Sequence, residues 1–329
     1  MLALQVRQPG AFENHQVEDI PDLTPAAGQV LIDVKAAAVN YPDLLVITGR
    51  YQTIPPLPFT PGKDGAGIVR SVGPGVTRVK PGDRVLVHVE YGTFATQALA
   101  GEDQCLPLPE AMGFVDAVSV GLAAQTAWFA LLERGQFEYG DQVLVTGASG
   151  AVGVAAVQIA AALGATPLAA ASNLERARTL LANTPCKFID LSAADLRNSL
   201  REQVHAATEG HGADVVIETL GGDPFDAALR AAAWCGRIVT VGFAAGRIPE
   251  IKAGHLLVRN IAALGIQWTD YRDRQPERVA RAHSALCALW ERGALKAHVT
   301  KTLPLREFGE AFRLIDSRRA AGRVVLTMN

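Results

Sequence analysis

The sequence predicts an α/β fold in which a doubly wound parallel sheet is inserted into a small, mostly antiparallel β-barrel. Three observations carry this expectation. From Val143 onward, apolar β-branched runs alternate with helix-like blocks, the rhythm of successive βαβ units. In the first 120 residues the strands are short and separated by Gly/Pro turns at PGKDG, GPG and KPGD, which suits antiparallel pairing. Finally, glycines at 147, 150 and 153 join the run VLVT to a long Ala-rich helix, the local form of a dinucleotide-phosphate cradle.

Taken in order, QVLIDVKAAAV, GAGIVRSVG and DRVLVHV read as strands of the first part. The middle part reads as VLVT at 143, a helix after Gly150, the strand PLAAAS, a helix near LERARTLL, the strand KFIDL and a helix to about 207. It continues with the strand ADVVIETL, a helix over DPFDAALRAAA, the strand RIVTVGF and a last strand IAALGIQW. A charged segment, TDYRDRQPER, leads to a helix ending near Arg292, the strand VTKTLPL, the helix LREFGEAFRLI and the strand GRVVLTM. These last elements are placed back with the first part. The expected division is therefore 1–121, 122–266 and 267–329.

With 329 residues the chain exceeds one ordinary core, and 49% hydrophobic content is ample for two. A net charge of −2 supplies no broad basic field for nucleic acid or an anionic membrane, so neither is expected as a partner. No uninterrupted apolar run reaches the roughly 18 residues of a membrane span. Cys105, Cys186, Cys235 and Cys287 lie far apart, without a metal-binding or disulfide framework, and read as reduced thiols of a cytoplasmic protein.

In a dinucleotide fold, the residue ending the second strand faces the adenosine ribose, and an acid there favours NAD over its 2′-phosphorylated form. Counting onward from Gly153 lands on Ser172, in the run Ser172-Asn173-Leu-Glu-Arg176. A hydroxyl, an amide and a guanidinium suit a phosphate, so NADPH is the expected cofactor. Ser172 and Asn173 are also good helix caps, and the two roles are compatible.

Gly140-Asp141-Gln-Val-Leu144-Val-Thr-Gly-Ala148-Ser149-Gly150-Ala151-Val152-Gly153, followed by Gln158, resembles the quinone oxidoreductase branch of the medium-chain dehydrogenase/reductase superfamily. Val39-Asn40-Tyr41-Pro42-Asp43, Gly49-Arg50-Tyr51, Thr60-Pro61-Gly62-Lys63-Asp64-Gly65-Ala66-Gly67 and Gly82-Asp83-Arg84-Val85 are similar to its N-terminal motifs, in the same order. The resemblance covers essentially the whole chain. It implies a Rossmann domain set within a GroES-like substrate domain. Ala151 stands where a glycine is usual, and Ala161 where a polar or basic residue is usual.

Zinc members of the superfamily carry Gly-His-Glu where this chain has Gly62-Lys63-Asp64, a cysteine near Asn40, and a lobe of four cysteines where only Cys105 occurs here. No metal is expected. His283 and Cys287, four apart on a helix, lack a third ligand. The resemblance further implies nicotinamide contacts at Asn40 and Thr126 and a pyrophosphate site at Ser149, Gly150, Ala151, Val152 and Gly153. It implies backbone contacts from Val241, Gly242, Phe243, Ala244, Ile266, Gln267 and Trp268, and a 2′-phosphate site at Ser172, Asn173 and Arg176, with Arg318 as a further basic position. Leu45 and Leu191 replace polar or aromatic residues that are usual at two other contacts.

Without a Lewis acid, the easiest acceptor is one that delocalises the charge left by hydride, and quinones do so. Conjugated enones and enoyl compounds are the alternative, and they need a proton at the α-carbon. Tyr51, and less directly Tyr41, could supply or relay it. Asp43 is expected to orient the Asn40 loop or to cap a short helix starting at Leu44. A non-catalytic NADPH-binding role is the third reading. The apolar strand IAALGIQW suggests an edge that pairs with a second copy, giving a homodimer.

Overall fold

The computed structural model describes residues 1–317 and 320–328. In chain order its strands are β1 (Leu2–Gln5), β2 (Gln16–Asp19), β3 (Gln29–Val39), β4 (Asp64–Val72), β5 (Arg84–His88), β6 (Gln97–Gly101), β7 (Cys105–Pro107), β8 (Val143–Thr146), β9 (Leu168–Ala171), β10 (Lys187–Asp190), β11 (Ala213–Glu218), β12 (Ala232–Thr240), β13 (Ala262–Gly265), β14 (Val299–Pro304) and β15 (Arg323–Thr327). The α-helices are α1 (Tyr41–Ile47), α2 (Phe114–Trp128), α3 (Ala151–Ala162), α4 (Leu174–Leu180), α5 (Leu196–Ala207), α6 (Gly222–Ala231), α7 (Ala253–Arg259), α8 (Trp268–Arg274), α9 (Pro276–Glu291) and α10 (Phe308–Asp316). Two compact units result, one of residues 1–122, 274–280 and 297–329, the other of 123–273 and 281–296. Relative to the expected division, 267–273 and 281–296 lie with the nucleotide-type unit.

In the first unit a path β14-β15-β3-β4-β5-β7 forms the main sheet, with β6 also on β3. Among the described residues of this sheet, only the β14–β15 pair is parallel. β3 is long enough to pair β6 along Gln29–Asp33 and β15 along Ala36–Val39, so the C-terminal strand is built into the N-terminal sheet. Leu4, Val39, Leu44, Ile47, Phe94, Phe312 and Leu326 fill one core, and Val30, Ile32, Val69, Val85 and Val87 another. Helix α1 starts earlier than the sequence suggested. Asn40 precedes its first turn, Pro42 preorganises that turn, and the Asp43 carboxylate accepts from the Asn40 N–H at 2.8 Å. Asp43 thus braces the N-cap from inside the helix rather than capping one that begins at Leu44.

In the second unit six parallel strands follow the order β10-β9-β8-β11-β12-β13. Helices on the crossovers cover the sheet, so β8 and much of β11 are buried on both faces and read as continuous apolar runs. Leu144, Leu168, Ile189, Leu200, Val216, Phe225 and Ile238 form the core. Burial of each such side chain contributes about 1.5–3 kcal/mol. Leu191 belongs to this core, which accounts for an apolar residue at that position.

In the second unit three elements differ from expectation. Helix α7 lies in a stretch to which no element was assigned, and TDYRDR, read as a charged segment, lies within α8. The last strand ends at Gly265, so Trp268 is not in it; its buried side chain opens α8. The segment Phe114–Arg134 runs as α2 and a π-helical stretch, and is long and apolar enough to cross a membrane by length and composition alone. Of its apolar window, 67% is buried within the protein.

Candidate functional site

Because all six strands of the second unit are parallel, their C-terminal ends open on one edge of the sheet. Ser149–Gly153 follows β8, Ser172–Arg176 follows β9, Val241–Ala244 follows β12 and Ile266–Trp268 follows β13. The topology therefore brings these expected contacts to one edge, where open α/β sheets bind ligands. Thr126, partly exposed on α2, is in this unit but at no strand end.

The glycine loop is cleared for a close approach. Gly147 has φ +66°, and a Cβ there would lie 2.3 Å from Thr219 Oγ1. A Cβ on Gly153 would lie 2.2 Å from the Gly147 carbonyl oxygen. Gly150 is the N-cap of α3, whose first-turn N–H groups have no intrahelical acceptor. Ser149, Gly150, Ala151 and Val152 all reach the surface, so a pyrophosphate could meet this backbone without side-chain obstruction. Ala151 does not block the turn, because it starts the helix rather than holding a left-handed conformation.

Ser172 is exposed directly beyond β9. Asn173 caps α4, its Oδ1 accepting from the Arg176 N–H at 2.9 Å. Arg176 is half-buried, and burial holds its guanidinium below the usual arginine range. No acid ends β9; the nearest in sequence, Glu175, lies on the first turn of α4. Arg318 lies outside the described residues.

The fourth central strand end supplies residues the sequence reading did not single out. Glu218 ends β11 fully buried and accepts from Thr146 Oγ1, the Leu220 N–H and the Gly221 N–H, each at 2.9 Å. An acid closing the apolar run Val215-Val216-Ile217 is the signal that would have pointed there. Phe243, exposed, follows β12 in a loop tied back by Ala244 N–H to Thr219 O at 3.2 Å.

In the first unit, polar side chains converge inside the protein. Arg323 donates to Asn40 Oδ1 at 2.8 Å, while Asn40 Nδ2 donates to the Ala38 carbonyl at 3.1 Å. Arg323 also lies 3.8 Å from the carboxylate of Asp64, which accepts from the Leu122 N–H at 3.2 Å and has His88 Nδ1 at 3.4 Å. Asp43, Asp64, His88 and Arg323 are all buried. Burial pushes the Asp64 carboxyl up to about 7, with Arg323 acting against it, and the Asp43 carboxyl up to about 6. Desolvation holds the Arg323 guanidinium below its usual range.

Beside this cluster, the Lys63 ammonium pairs with the Glu90 carboxylate, donates to the Glu90 carbonyl at 3.1 Å and sits 4.8 Å from the centroid of the Tyr51 ring. Tyr41 is exposed at the start of α1. The donor set does not suit zinc. Lys63 and Asn40 stand where ligands would be needed, and Lys63 and Arg323 already neutralise nearby carboxylates. Among the described residues, no three His, Cys, Asp or Glu side chains are grouped to hold a metal. In the second unit, Cys287 Sγ meets His283 Nε2 at 3.4 Å, and burial pushes that thiol up to about 11, as for a packing pair.

Comparison with known proteins agrees with this arrangement. Residues 26–134 match the model of the alcohol dehydrogenase GroES-like domain, and residues 151–284 that of the zinc-binding dehydrogenase domain. Quinone oxidoreductase-like protein 2 of Bos taurus is 33% identical over 313 residues, covering 94% of this chain and 88% of that protein. The quinone oxidoreductase of Mus musculus is 31% identical over 331 residues, covering 100% of this chain and 98% of that protein. The structure of Escherichia coli quinone oxidoreductase complexed with NADPH superposes with a TM-score of 0.90 at 26% identity, covering 99% of this chain and 100% of that one. Matched along nearly its whole length, and with lysine and asparagine where zinc members place ligands, the chain belongs to the zinc-free, quinone oxidoreductase-like branch of the medium-chain dehydrogenase/reductase superfamily.

Proposed function

We propose that this oxidoreductase transfers hydride from NADPH to a quinone without a metal ion. The observation that carries the cofactor reading is the edge of the parallel sheet in the second unit. There a loop cleared by Gly147 and Gly153 lies on the same sheet edge as a strand end followed by Ser172, not an acid, which supports a 2′-phosphorylated ribose at that position. When bound, NADPH supplies the hydride. The residues of the chain then bind and orient: Ser149–Gly153 hold the pyrophosphate, Ser172, Asn173 and Arg176 the 2′-phosphate, and Val241–Ala244 and Ile266–Trp268 the carboxamide end. Asn40 and Thr126 are the proposed nicotinamide contacts, and Tyr51 the proposed proton relay.

The quinone reading rests on the charge environment rather than on an assigned acid. Lys63 and Asn40 stand where zinc members place ligands, which favours an acceptor that carries its own developing charge, as a quinone does. The named relatives support this choice. The test is oxidation of NADPH and NADH in parallel against 1,4-benzoquinone, 9,10-phenanthrenequinone and small enones. Turnover of quinones with NADPH is expected; turnover of enones alone would overturn the quinone reading, and no turnover beside tight NADPH binding would favour a non-catalytic role. Ser172→Asp should raise the NADPH Kd about tenfold, roughly 1.4 kcal/mol, and leave NADH binding unchanged.

We also infer a cytoplasmic homodimer. Cys105, Cys186, Cys235 and Cys287 are all free thiols. Strand β13 is the edge of its sheet, and Leu257 and Val258 of α7 are 80% and 79% exposed in the same unit. A sedimentation mass near the monomer's 34.8 kDa would overturn the dimer.

A further inference from the structure

We infer that Glu218 is a positioning residue for the dinucleotide, its carboxylate fixing the spacing between the glycine loop and the strand-end turn that faces it. The inference rests on the NADPH reading above. Strand order reverses between β8 and β11, the place where an open α/β sheet opens a crevice for its ligand. The two strands run in register, Val143 beside Val215 and Val145 beside Ile217, so Thr146 and Glu218 are the next pair, at the lip of that crevice.

A carboxylate with no exposed surface is expensive unless its lone pairs are used. Here they are: Oε1 accepts from Thr146 Oγ1 and the Leu220 N–H, and Oε2 from the Gly221 N–H, each at 2.9 Å. A second layer locks the same two segments, with the Thr219 N–H donating to Thr146 Oγ1 at 3.1 Å and Thr219 Oγ1 donating to the Thr146 carbonyl at 2.9 Å. This clasp draws Thr219 so close that only a glycine fits at 147, where a Cβ would lie 2.3 Å from Thr219 Oγ1.

The turn it holds has left-handed backbone at Gly221 (φ +69°) and Gly222 (φ +56°), and carries the next loop with it. The Ala244 N–H donates to Thr219 O at 3.2 Å and the Ala245 N–H to Leu220 O at 2.7 Å. One carboxylate therefore braces the proposed pyrophosphate loop and, through this turn, the proposed carboxamide loop. Burial raises the Glu218 carboxyl above its ordinary value, and its three donors act against that rise. Glutamine cannot replace it in full. It offers one acceptor oxygen, and its NH₂ would face an N–H or O–H donor.

The test is an NADPH fluorescence titration of the full chain for wild type, E218Q, T146V and T146S, with thermal unfolding in parallel. E218Q and T146V should each raise the NADPH Kd tenfold or more, T146S should stay within twofold of wild type, and the E218Q/T146V double variant should bind about as E218Q does. The KM for whichever acceptor is turned over should stay within twofold throughout. Should E218Q fail to fold, the T146V and T146S pair carries the test. Folded variants with wild-type NADPH Kd, or T146S binding as weakly as T146V, would overturn the inference while leaving the NADPH reading intact. A wild type that does not bind NADPH would overturn both.

Discussion

In the second unit, the candidate contacts are mostly backbone at strand ends, made accessible by glycines whose missing side chains leave no room for any other residue. In the first unit, the comparable polar density is all side chain: Asn40, Asp43, Asp64, His88 and Arg323 packed out of water around each other. A backbone site is built by leaving atoms out and is damaged by adding them. A buried charge network is built by matching partners and is damaged by removing one. The two regions should therefore fail in opposite ways: added bulk in the second should cost binding, and a lost charge in the first should cost stability.

The largest effect is expected from Arg323→Met. It strips the guanidinium from Asp64 and from Asn40 Oδ1 and leaves a buried carboxylate without its nearby cation. Breaking a buried pair by removing one partner costs about 3–5 kcal/mol. Urea denaturation at pH 8, above the Asp64 titration, should show a loss of that size; a loss below about 1 kcal/mol would mean that the cluster does little to hold the unit together.

Asp64 sharpens the same point through pH. Its folded carboxyl is pushed up to about 7, above the 3.8 ordinary for an aspartate in an unfolded chain, so between these values the folded state holds a proton that the unfolded state has lost. Stability from this group is greatest at low pH and falls as pH rises toward 7. Asp64→Asn removes the titration, so its penalty relative to wild type should shrink between pH 5 and pH 8. A penalty that grows over that range would show that Arg323 outweighs the burial.

For the second unit the matching test is Gly153→Ala. Dinucleotide folds can accept alanine at this place in the motif, yet here the added Cβ would fall 2.2 Å from the Gly147 carbonyl oxygen, which is backbone and cannot rotate away. NADPH affinity should drop about 100-fold, or roughly 2.7 kcal/mol. An NADPH Kd within threefold of wild type would show that the loop has slack.

These contrasts also explain what could be read in advance. The glycine loop and the end of β9 were legible because their requirements are local: a tight turn, a strand, and a count of residues. The parallel sheet was legible from its alternating rhythm, although TDYRDR hid a helix because a short charged segment has no apolar period to reveal it. The first unit's cluster was not legible. Arg323 meets Asn40 across 283 residues, and only the pairing of β15 with β3 brings them together. Asp64 and His88 face one another through the β4–β5 register, which the sequence does not announce. Glu218 falls between these cases: the buried acid is visible as a misfit in an apolar run, but its partner Thr146 appears only once the strand order is known.

The smallest effect separates two uses of one side chain. Asn173 caps α4 through Oδ1, and the proposed reading also has it contact the 2′-phosphate. Asn173→Ala should cost about 1 kcal/mol of stability through the lost cap, whatever the cofactor. Asn173→Asp keeps a capping oxygen and adds a negative charge at a helix N-terminus, where it is tolerated or favourable. Its melting temperature should match wild type, while NADPH binding should weaken by about 1 kcal/mol, roughly fivefold, and NADH binding should not change. If Asn173→Asp bound both cofactors as wild type does, Asn173 would be a cap alone, and the phosphate site would reduce to Ser172 and Arg176. A weakening shared equally by NADPH and NADH would place the effect in the loop's shape and remove the 2′-phosphate from its explanation.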